Sequence, residues 1–326
     1  SPEEGIPMHY MNEDFWQVSI EVPATTPLSE IRYHYFLKNE DGEIITEWGN
    51  DRLLVKGQKT TTEIVVTDTW NHAGEYENTF FTAPFSEVLL KNAQTKGKAE
   101  NDKAVTHLFR VKAPLLKKHQ VMALTGAGEK LRNWSETAPL LMERNGDWWE
   151  IRLDLSGEFF PVAYKYAVWN SKEHQFLRFE TGDNRLLIPE GNTGRISIQH
   201  DGFARLPNDT WKGAGVAIPV FSLRSKNSFG VGEFNDIKLL VDWSKQTGLK
   251  LVQLLPVNDT TATHTWLDSY PYAAISAFAL HPLFINLPKD AGKEYASQLS
   301  SLKKKQQQLN ENSVVDYEEV MKLKMG

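Results

Sequence analysis

The sequence predicts a multidomain chain: two small antiparallel β-sandwiches, the first incomplete, followed by the opening of an α/β domain. Three observations carry this prediction. Two segments about 130 residues apart read alike. Both alternate polar and apolar side chains, and beyond residue 206 the texture changes to short apolar runs flanking one amphipathic stretch.

The first of these is a duplication. "DFWQVSIEVP" (14–23) resembles "DWWEIRLDLS" (147–156), and "IRYHYFLKNEDGEIITEWGNDRLLV" (31–55) resembles "VAYKYAVWNSKEHQFLRFETGDNRLLI" (162–188). The period is too long for a solenoid unit, so it marks a duplicated domain. Period-2 alternation, broken by turns at Asn39-Glu40-Asp41-Gly42 and Ser156-Gly157, marks antiparallel strands. The expected boundaries are 1–91 for the first copy, 92–104 for a polar linker, 105–205 for the second copy and 206–326 for the α/β segment. The second copy has a full lead-in before its Trp pair and the first does not, so the first reads as beginning inside a domain. Trp148 and Trp149 alternate across a strand, so at least one faces inward.

Composition removes several functions. The chain has 36 basic and 42 acidic side chains, a net charge of -6, which speaks against nucleic acid or an anionic membrane as partner. The longest apolar stretch, "SYPYAAISAFALHPLFINL" (269–287), is broken by Ser276, His281 and Asn286, short of the roughly 18 clean residues a span requires. There is no cysteine, so no thiol nucleophile and no Cys-zinc site; a reducing, cytoplasmic setting is expected. Ten Trp, sixteen Phe and ten Tyr are the unusual numbers. Flat rings stack on the apolar C–H faces of sugars, while carboxylates and amides bond the hydroxyls around the rim.

The third segment reads as a βαβ unit. "AGVAIPV" (214–220) and "LKLVQLLPV" (249–257) are continuous apolar runs, as expected of strands buried on both faces. Between them Ile237, Leu240 and Val241 recur at helical spacing, with Asn235 as a candidate N-cap and Gly248 past the end. "FGVGEF" lacks the third glycine of a dinucleotide loop and the Lys-Ser/Thr of a phosphate loop, so its glycines read as turn and packing residues. Residues 289–311 read as a polar surface helix.

On "LRNW", "DWWEIRLDL", "AYKYAVWN" and "FETGDNRLLI", the second copy resembles the starch-binding domains of carbohydrate-binding module family 20. Carried over residue by residue, the resemblance implies a glucan site on Trp134, Lys165, Phe179, Glu180 and Asn184, with Phe179 where Trp is commoner. In the first copy His34 stands for the Lys, Gly49 follows Trp48 in place of Glu, and Asp51 precedes Arg52 in place of Asn. That site is not expected to be intact.

"PVFSLRSKNSFGVGEFNDIKLLVDWSKQTGLKLVQLLPVNDT", "DSYPYAAISAFALHPLFINL" and "VDYEEVMKLK" resemble the amylomaltase-type 4-alpha-glucanotransferases that carry paired starch-binding modules. The resemblance implies the start of a (β/α)8 barrel whose strand ends line the sugar site. Pro271 and Tyr272 carry over cleanly, and Trp266 is a further candidate platform. Phe278, Leu280, Leu283 and Ile285 are expected in the core. The implied reaction is transfer of alpha-1,4-linked glucosyl units from maltose or malto-oligosaccharides to starch- or glycogen-like acceptors, by a retaining double displacement without metal or cofactor. None of Glu233, Asp236, Asp242, Asp259 or Asp268 matches the family's catalytic carboxylates, so no catalytic residue is assigned here and the chain alone is expected to be inactive. An alpha-amylase-like hydrolase or branching enzyme, and a non-catalytic glucan-binding protein, remain as alternatives.

Overall fold

Alternation is strongest between residues 107 and 203, and there the chain forms its longest strands. The computed structural model describes residues 4–23, 30–55, 61–91, 95–190, 194–291 and 295–325, so residues 92–94 of the expected linker lie outside it. The chain divides into two compact units, 1–210 and 211–326. Among the described residues no helix is long and apolar enough to cross a membrane.

The first unit carries β1 (His9–Tyr10), β2 (Trp16–Gln17), β3 (Glu30–Tyr33), β4 (Phe36–Lys38), β5 (Ile44–Thr46), β6 (Arg52–Val55) and β7 (Glu63–Asp68) from the first copy. The second copy supplies β8 (His107–Lys112), β9 (Gln120–Gly126), β10 (Leu140–Leu141), β11 (Glu143–Asn145), β12 (Trp148–Leu153), β13 (Val162–Asn170), β14 (Gln175–Phe179), β15 (Arg185–Leu187) and β16 (Arg195–Phe203). One five-stranded sheet runs β10-β9-β13-β14, with β15 also on β13; the other runs β11-β12-β8-β16-β7. Phe109, Trp149 and Ile151 from the second sheet meet Met122, Leu124, Tyr164 and Tyr166 from the first in one buried cluster. Each such side chain contributes roughly 1.5–3 kcal/mol by leaving water. Trp149 is the inward member of the Trp pair, and Trp148 lies against His200, ring centroids 5.4 Å apart.

Two expectations need correcting here. The second sheet is not wholly antiparallel, because β16 runs parallel to both β8 and β7. Nor are the copies separate bodies, since β7 of the first copy is the edge strand of a sheet built by the second. The likeness is also uneven. Residues 14–23, counterpart of β12, contribute only the exposed β2, paired with β1, whereas β12 is held between β11 and β8.

The duplication is out of step with the ladder by one residue. β7 pairs Asp68 with His200, not with the duplicated Asp201. Side chains alternate along a strand, so the slip turns Asp68 and Asp201 to opposite faces of one sheet. His200, which shares Asp68's face, and Asp201 are both buried, so β16 is buried on both sides.

The second unit holds β17 (Gly215–Ile218), α1 (Asp236–Thr247) and β18 (Leu251–Leu254), with the two strands parallel. This is the predicted strand-helix-strand unit, but both strands alternate exposed and half-buried residues instead of being covered on both faces. Gly248 ends α1 in the left-handed conformation at φ 78°, as expected of a C-cap glycine. Asn235 makes no capping bond; its side chain accepts from Lys289 Nζ, and Asp236 turns back to accept from the Glu233 backbone N–H instead. The expected polar helix is broken into α2 (Leu287–Asp290), α3 (Ala296–Ser301) and α4 (Lys303–Glu311), and α5 (Tyr317–Met325) follows.

In the stretch 269–287 only Leu283 enters the core as expected. Phe278 is 97% exposed, and Leu280 and Ile285 are exposed too. Backbone pairing explains why: Asp259 N–H donates to Ala279 O and His281 N–H to Val257 O. Residues 275–281 are thereby drawn along 257–259 as an irregular strip, and it is the short helical turn Pro282–Phe284 that carries Leu283 and Phe284 inward.

Candidate functional site

The second copy's polar centre starts with two tyrosines on β13. Tyr164 and Tyr166 both donate their hydroxyls to Asp201 Oδ2, at 2.9 and 2.7 Å. Arg185 grips Glu180 through Nε and Nη2 at 2.8 and 2.9 Å and lies 3.5 Å from Asp201. Burial pushes the Glu180 carboxyl up, but the bonds and charge of Arg185 outweigh it and hold the group below the ordinary carboxylate range.

Glu180 therefore leaves the set of rim residues. Its oxygens also accept from the backbone N–H groups of Tyr166 and Arg205, and its side chain is wholly buried. It is a structural acceptor. A carboxylate this committed has no lone pair open to a ligand.

The other four expected residues lie at the surface. Lys165 is half-buried on β13, and Phe179 on β14 stands opposite Ala167, so the two share one sheet face. Phe179 packs edge-on against Phe176, ring centroids 4.8 Å apart. Lys165 Nζ donates to Gly182 O at 2.6 Å, and exposed Asn184 directly precedes Arg185, the partner of Tyr164 on β15. Lys165, the Gly182–Asn184 bend and Phe179 are thus one neighbourhood.

Trp134 reaches this edge of the sheet by another route. Thr125, opposite Lys165 on β9, donates its hydroxyl to Leu131 O. The chain then runs through Arg132, Asn133 and Trp134 at φ 65°, 47° and 62°. Three consecutive non-glycine residues in the left-handed region cost about 1–2 kcal/mol each. The turn is held by Asn133 N–H donating to Gly128 O and Ser135 N–H to Arg132 O, and it leaves the indole half-exposed. Strain of this kind persists only where the surrounding structure over-determines the backbone.

The first copy repeats the buried centre. Tyr33 and Tyr35 donate to Asp68 Oδ2 at 2.8 and 2.9 Å, and Arg52 grips Glu47 at 3.0 and 2.6 Å while reaching Asp68 at 2.8 Å. The guanidinium carbon lies 5.3 Å from the Tyr35 ring centre, as that of Arg185 does from Tyr166. The counterpart of Glu180 is therefore Glu47, not Gly49. Both glutamates stand five residues before their arginine, and that shared spacing was available in the sequence. The face reversal, the left-handed turn and the Gly182 carbonyl had no such signal.

In the second unit Tyr272 is 60% exposed, tilted against Tyr270 with ring centres 5.6 Å apart, and Trp266 is 64% exposed. A small cleft beside them is lined by Pro256, Asn258, Thr260, Ser269, Pro271 and His281. Trp266 N–H donates to Glu318 at 2.8 Å, fixing its loop to the start of α5. His281 Nδ1 accepts from Leu283 N–H, so the neutral ring carries its proton on Nε2, facing the Tyr317 hydroxyl at 3.2 Å. Burial lowers its pKa and favours that neutral form.

Of the five acids considered in this unit, four are held by other bonds. Glu233 pairs with Lys324 Nζ at 2.7 Å, both side chains buried, and Lys324 also donates to Leu283 O and Ile285 O at 2.6 and 2.8 Å. Burial pushes the Glu233 carboxyl up and the Lys324 ammonium down, each opposed by the partner's charge. Asp268 accepts from the backbone N–H groups of Ala262, Thr263 and His264, and Asp259 from Thr261. Asp236 accepts from the Ser228 hydroxyl, and Asp242 is exposed on α1.

The family model for 4-alpha-glucanotransferase matches residues 218–326. The 4-alpha-glucanotransferase DPE2 of Oryza sativa subsp. japonica is 31% identical over 98% of this chain, which spans 34% of that protein. A 4-alpha-glucanotransferase of Chlamydia muridarum is 36% identical over 36% of this chain and 21% of its own length. Among solved structures, the amylomaltase of Corynebacterium glutamicum is 16% identical over 63% of this chain and 28% of that one, at a TM-score of 0.31. The chain thus spans about a third of the rice relative's length. Residues 218–326 thus match the 4-alpha-glucanotransferase family model, the family their motifs implied.

Proposed function

We propose that this chain is the glucan-gripping part of an enzyme that transfers alpha-1,4-linked glucosyl units between maltose or malto-oligosaccharides and starch- or glycogen-like acceptors. In this reading the two sheets around the Trp149 core are a starch-binding β-sandwich. Its glucan surface is Trp134, Lys165, Phe179 and Asn184, with Glu180 holding the loop from below. The unit 211–326 is the start of a (β/α)8 barrel, whose sugar cleft takes Tyr272 and Trp266 as platforms. The retaining displacement needs two carboxylates flanking the scissile bond, one as nucleophile and one as acid and then base. No such pair is assigned to the acids of the second unit described above, so the chain is proposed to bind and not to catalyse.

The observation that carries this reading is the left-handed turn at Arg132–Trp134. It holds an indole half-exposed in a strained turn that starts from Leu131, whose carbonyl accepts from Thr125, the strand partner of Lys165. A module that raises local acceptor concentration would favour transfer over hydrolysis in the parent enzyme. The test is titration calorimetry of the chain with maltoheptaose. Trp134→Ala is expected to weaken binding at least tenfold, about 1.4 kcal/mol, with an unchanged melting temperature. Unchanged affinity would remove the site.

A further inference from the structure

We propose that Glu318 is a positioning residue for the sugar cleft of the second unit: its carboxylate holds the backbone of Trp266 and so sets how that ring is presented to the sugar. The inference rests on the reading of Trp266 as a sugar platform. It adds a residue that touches no sugar itself and lies 52 positions further along the chain.

The platform loop is one braced piece. The Asp268 carboxylate accepts from the backbone N–H groups of Ala262, Thr263 and His264 at 3.1, 3.0 and 2.7 Å, and from the Thr263 hydroxyl at 2.8 Å. The Asp268 carbonyl accepts from the Thr260 hydroxyl, and the Thr265 side chain accepts from Leu267 N–H at the start of the short helical turn Trp266–Ser269. Trp266 N–H, in the first position of that turn, is a donor that no carbonyl of the turn can satisfy. Glu318 Oε1 accepts it at 2.8 Å. A charged acceptor makes such a bond roughly twice as strong as a neutral one.

The tie matters because of where α5 is anchored. Tyr317, the residue before Glu318, is buried, and its hydroxyl meets Nε2 of His281, a residue that lines the cleft, at 3.2 Å. Further along the helix, Lys324 donates to Leu283 O and Ile285 O. Asp316 accepts from Glu319 N–H at 3.1 Å and so fixes the first turn. Two adjacent residues thus hold two sides of one cleft: Tyr317 holds the His281 wall and Glu318 holds the loop. Trp266 is 64% exposed, so packing does little to fix its ring, and the tie to its backbone takes that part. A platform that meets the bound sugar and the transition state alike acts on KM and leaves kcat alone.

The experiment is steady-state transfer from maltose to glycogen by the whole enzyme, with KM for maltose and kcat read separately. Glu318→Ala is expected to raise KM at least about threefold with kcat within about twofold of wild type. Glu318→Asp keeps the charge but withdraws the carboxylate by one methylene, and is expected to match Glu318→Ala. Glu318→Gln keeps an acceptor at the same reach, and is expected to stay within about twofold of the wild-type KM. Should Glu318→Ala fail to fold, the contrast between Glu318→Asp and Glu318→Gln carries the test. A wild-type KM in Glu318→Asp, or equal KM values in Glu318→Gln and Glu318→Asp, overturns the positioning role. So does a fall in kcat at unchanged KM. Trp266→Ala separates this from the reading beneath it: a raised KM there with none in Glu318→Ala removes only Glu318, whereas an unchanged KM in Trp266→Ala removes the platform and the positioning role together.

Discussion

The two copies of the duplicated module keep the same interior and differ in everything that meets solvent. Tyr33, Tyr35, Asp68, Arg52 and Glu47 make the contacts that Tyr164, Tyr166, Asp201, Arg185 and Glu180 make, except that Arg52 bonds Asp68 at 2.8 Å where Arg185 stands 3.5 Å from Asp201. Around that centre His34 stands in the first copy where the second has Lys165, Thr46 where it has Phe179 and Asp51 where it has Asn184. The lesson is about cost. A buried carboxylate that loses its guanidinium is left uncompensated at low dielectric, whereas a rim residue changes against water. The interior is therefore fixed by folding, and the rim is free to follow the ligand.

Breaking the interior is the largest expected effect. Arg185→Met strands Glu180 beside only Arg205 and is expected to destabilise the first unit by about 3–5 kcal/mol. Arg52→Met should cost about as much, because buried Glu47 loses both its guanidinium bonds while Asp68 keeps His200 and two tyrosines. Since β7 belongs to the second copy's sheet, both variants should lower one shared unfolding transition in urea. Separate transitions for the two copies would show that the β7–β16 ladder does not couple them.

Acid should act through the same groups. Asp68, Glu150 and Glu180 are all held below the ordinary carboxylate range: burial pushes each up, and bonds to His200, Asn145 and Arg185 respectively, with neighbouring positive charge, outweigh it. A carboxylate depressed in the fold stabilises above its unfolded pKa, near 4, and that stability is lost as pH falls through the folded value. Thermal melts of the first unit should thus be flat from pH 7 to about 5 and fall below about 4. Arg185→Met should flatten that fall. Glu233 has the opposite sign, since its raised carboxyl contributes at low pH and loses that contribution as pH rises.

How much of this was legible in the sequence follows from range. The duplication, the strand-helix-strand of the second unit and the Gly248 cap are local patterns, and each was readable. The parallel placement of β7 on β16 depends on contacts between distant segments, and no period encodes it. Pattern also misled at Phe278 and Leu280, where apolar residues suggested a core strand. The backbone there pairs with 257–259 and leaves them exposed, while Lys324, its side chain buried, donates to Leu283 O and Ile285 O. Glu180 was misjudged because a carboxylate beside an aromatic reads alike as a sugar ligand and as an arginine's buried partner.

A smaller effect separates strain from stability at the left-handed turn. Asn133→Gly removes the Cβ penalty at φ 47° and should change stability by no more than about 1 kcal/mol, since glycine also gains freedom when unfolded. Maltoheptaose affinity should fall two- to threefold as Trp134 becomes less fixed. Equal affinity in the glycine variant would mean that the turn is a packing solution and not a ligand platform.

The smallest effect on stability is expected at Tyr272. Its ring is mostly in solvent, so Tyr272→Ala should move the melting midpoint by less than about 0.5 kcal/mol equivalent. If the proposed function holds, the same substitution in the whole enzyme should cut transfer from maltose at least tenfold while leaving module binding to maltoheptaose intact. Trp134→Ala should do the reverse, sparing maltose turnover and weakening use of polymeric acceptors. That crossing of effects divides the molecule by function, because one aromatic face would serve the reacting sugar and the other would only keep the polymer near. If Tyr272→Ala instead lowers stability by several kcal/mol, the ring is holding the 256–271 cleft together and its place as a sugar platform is lost.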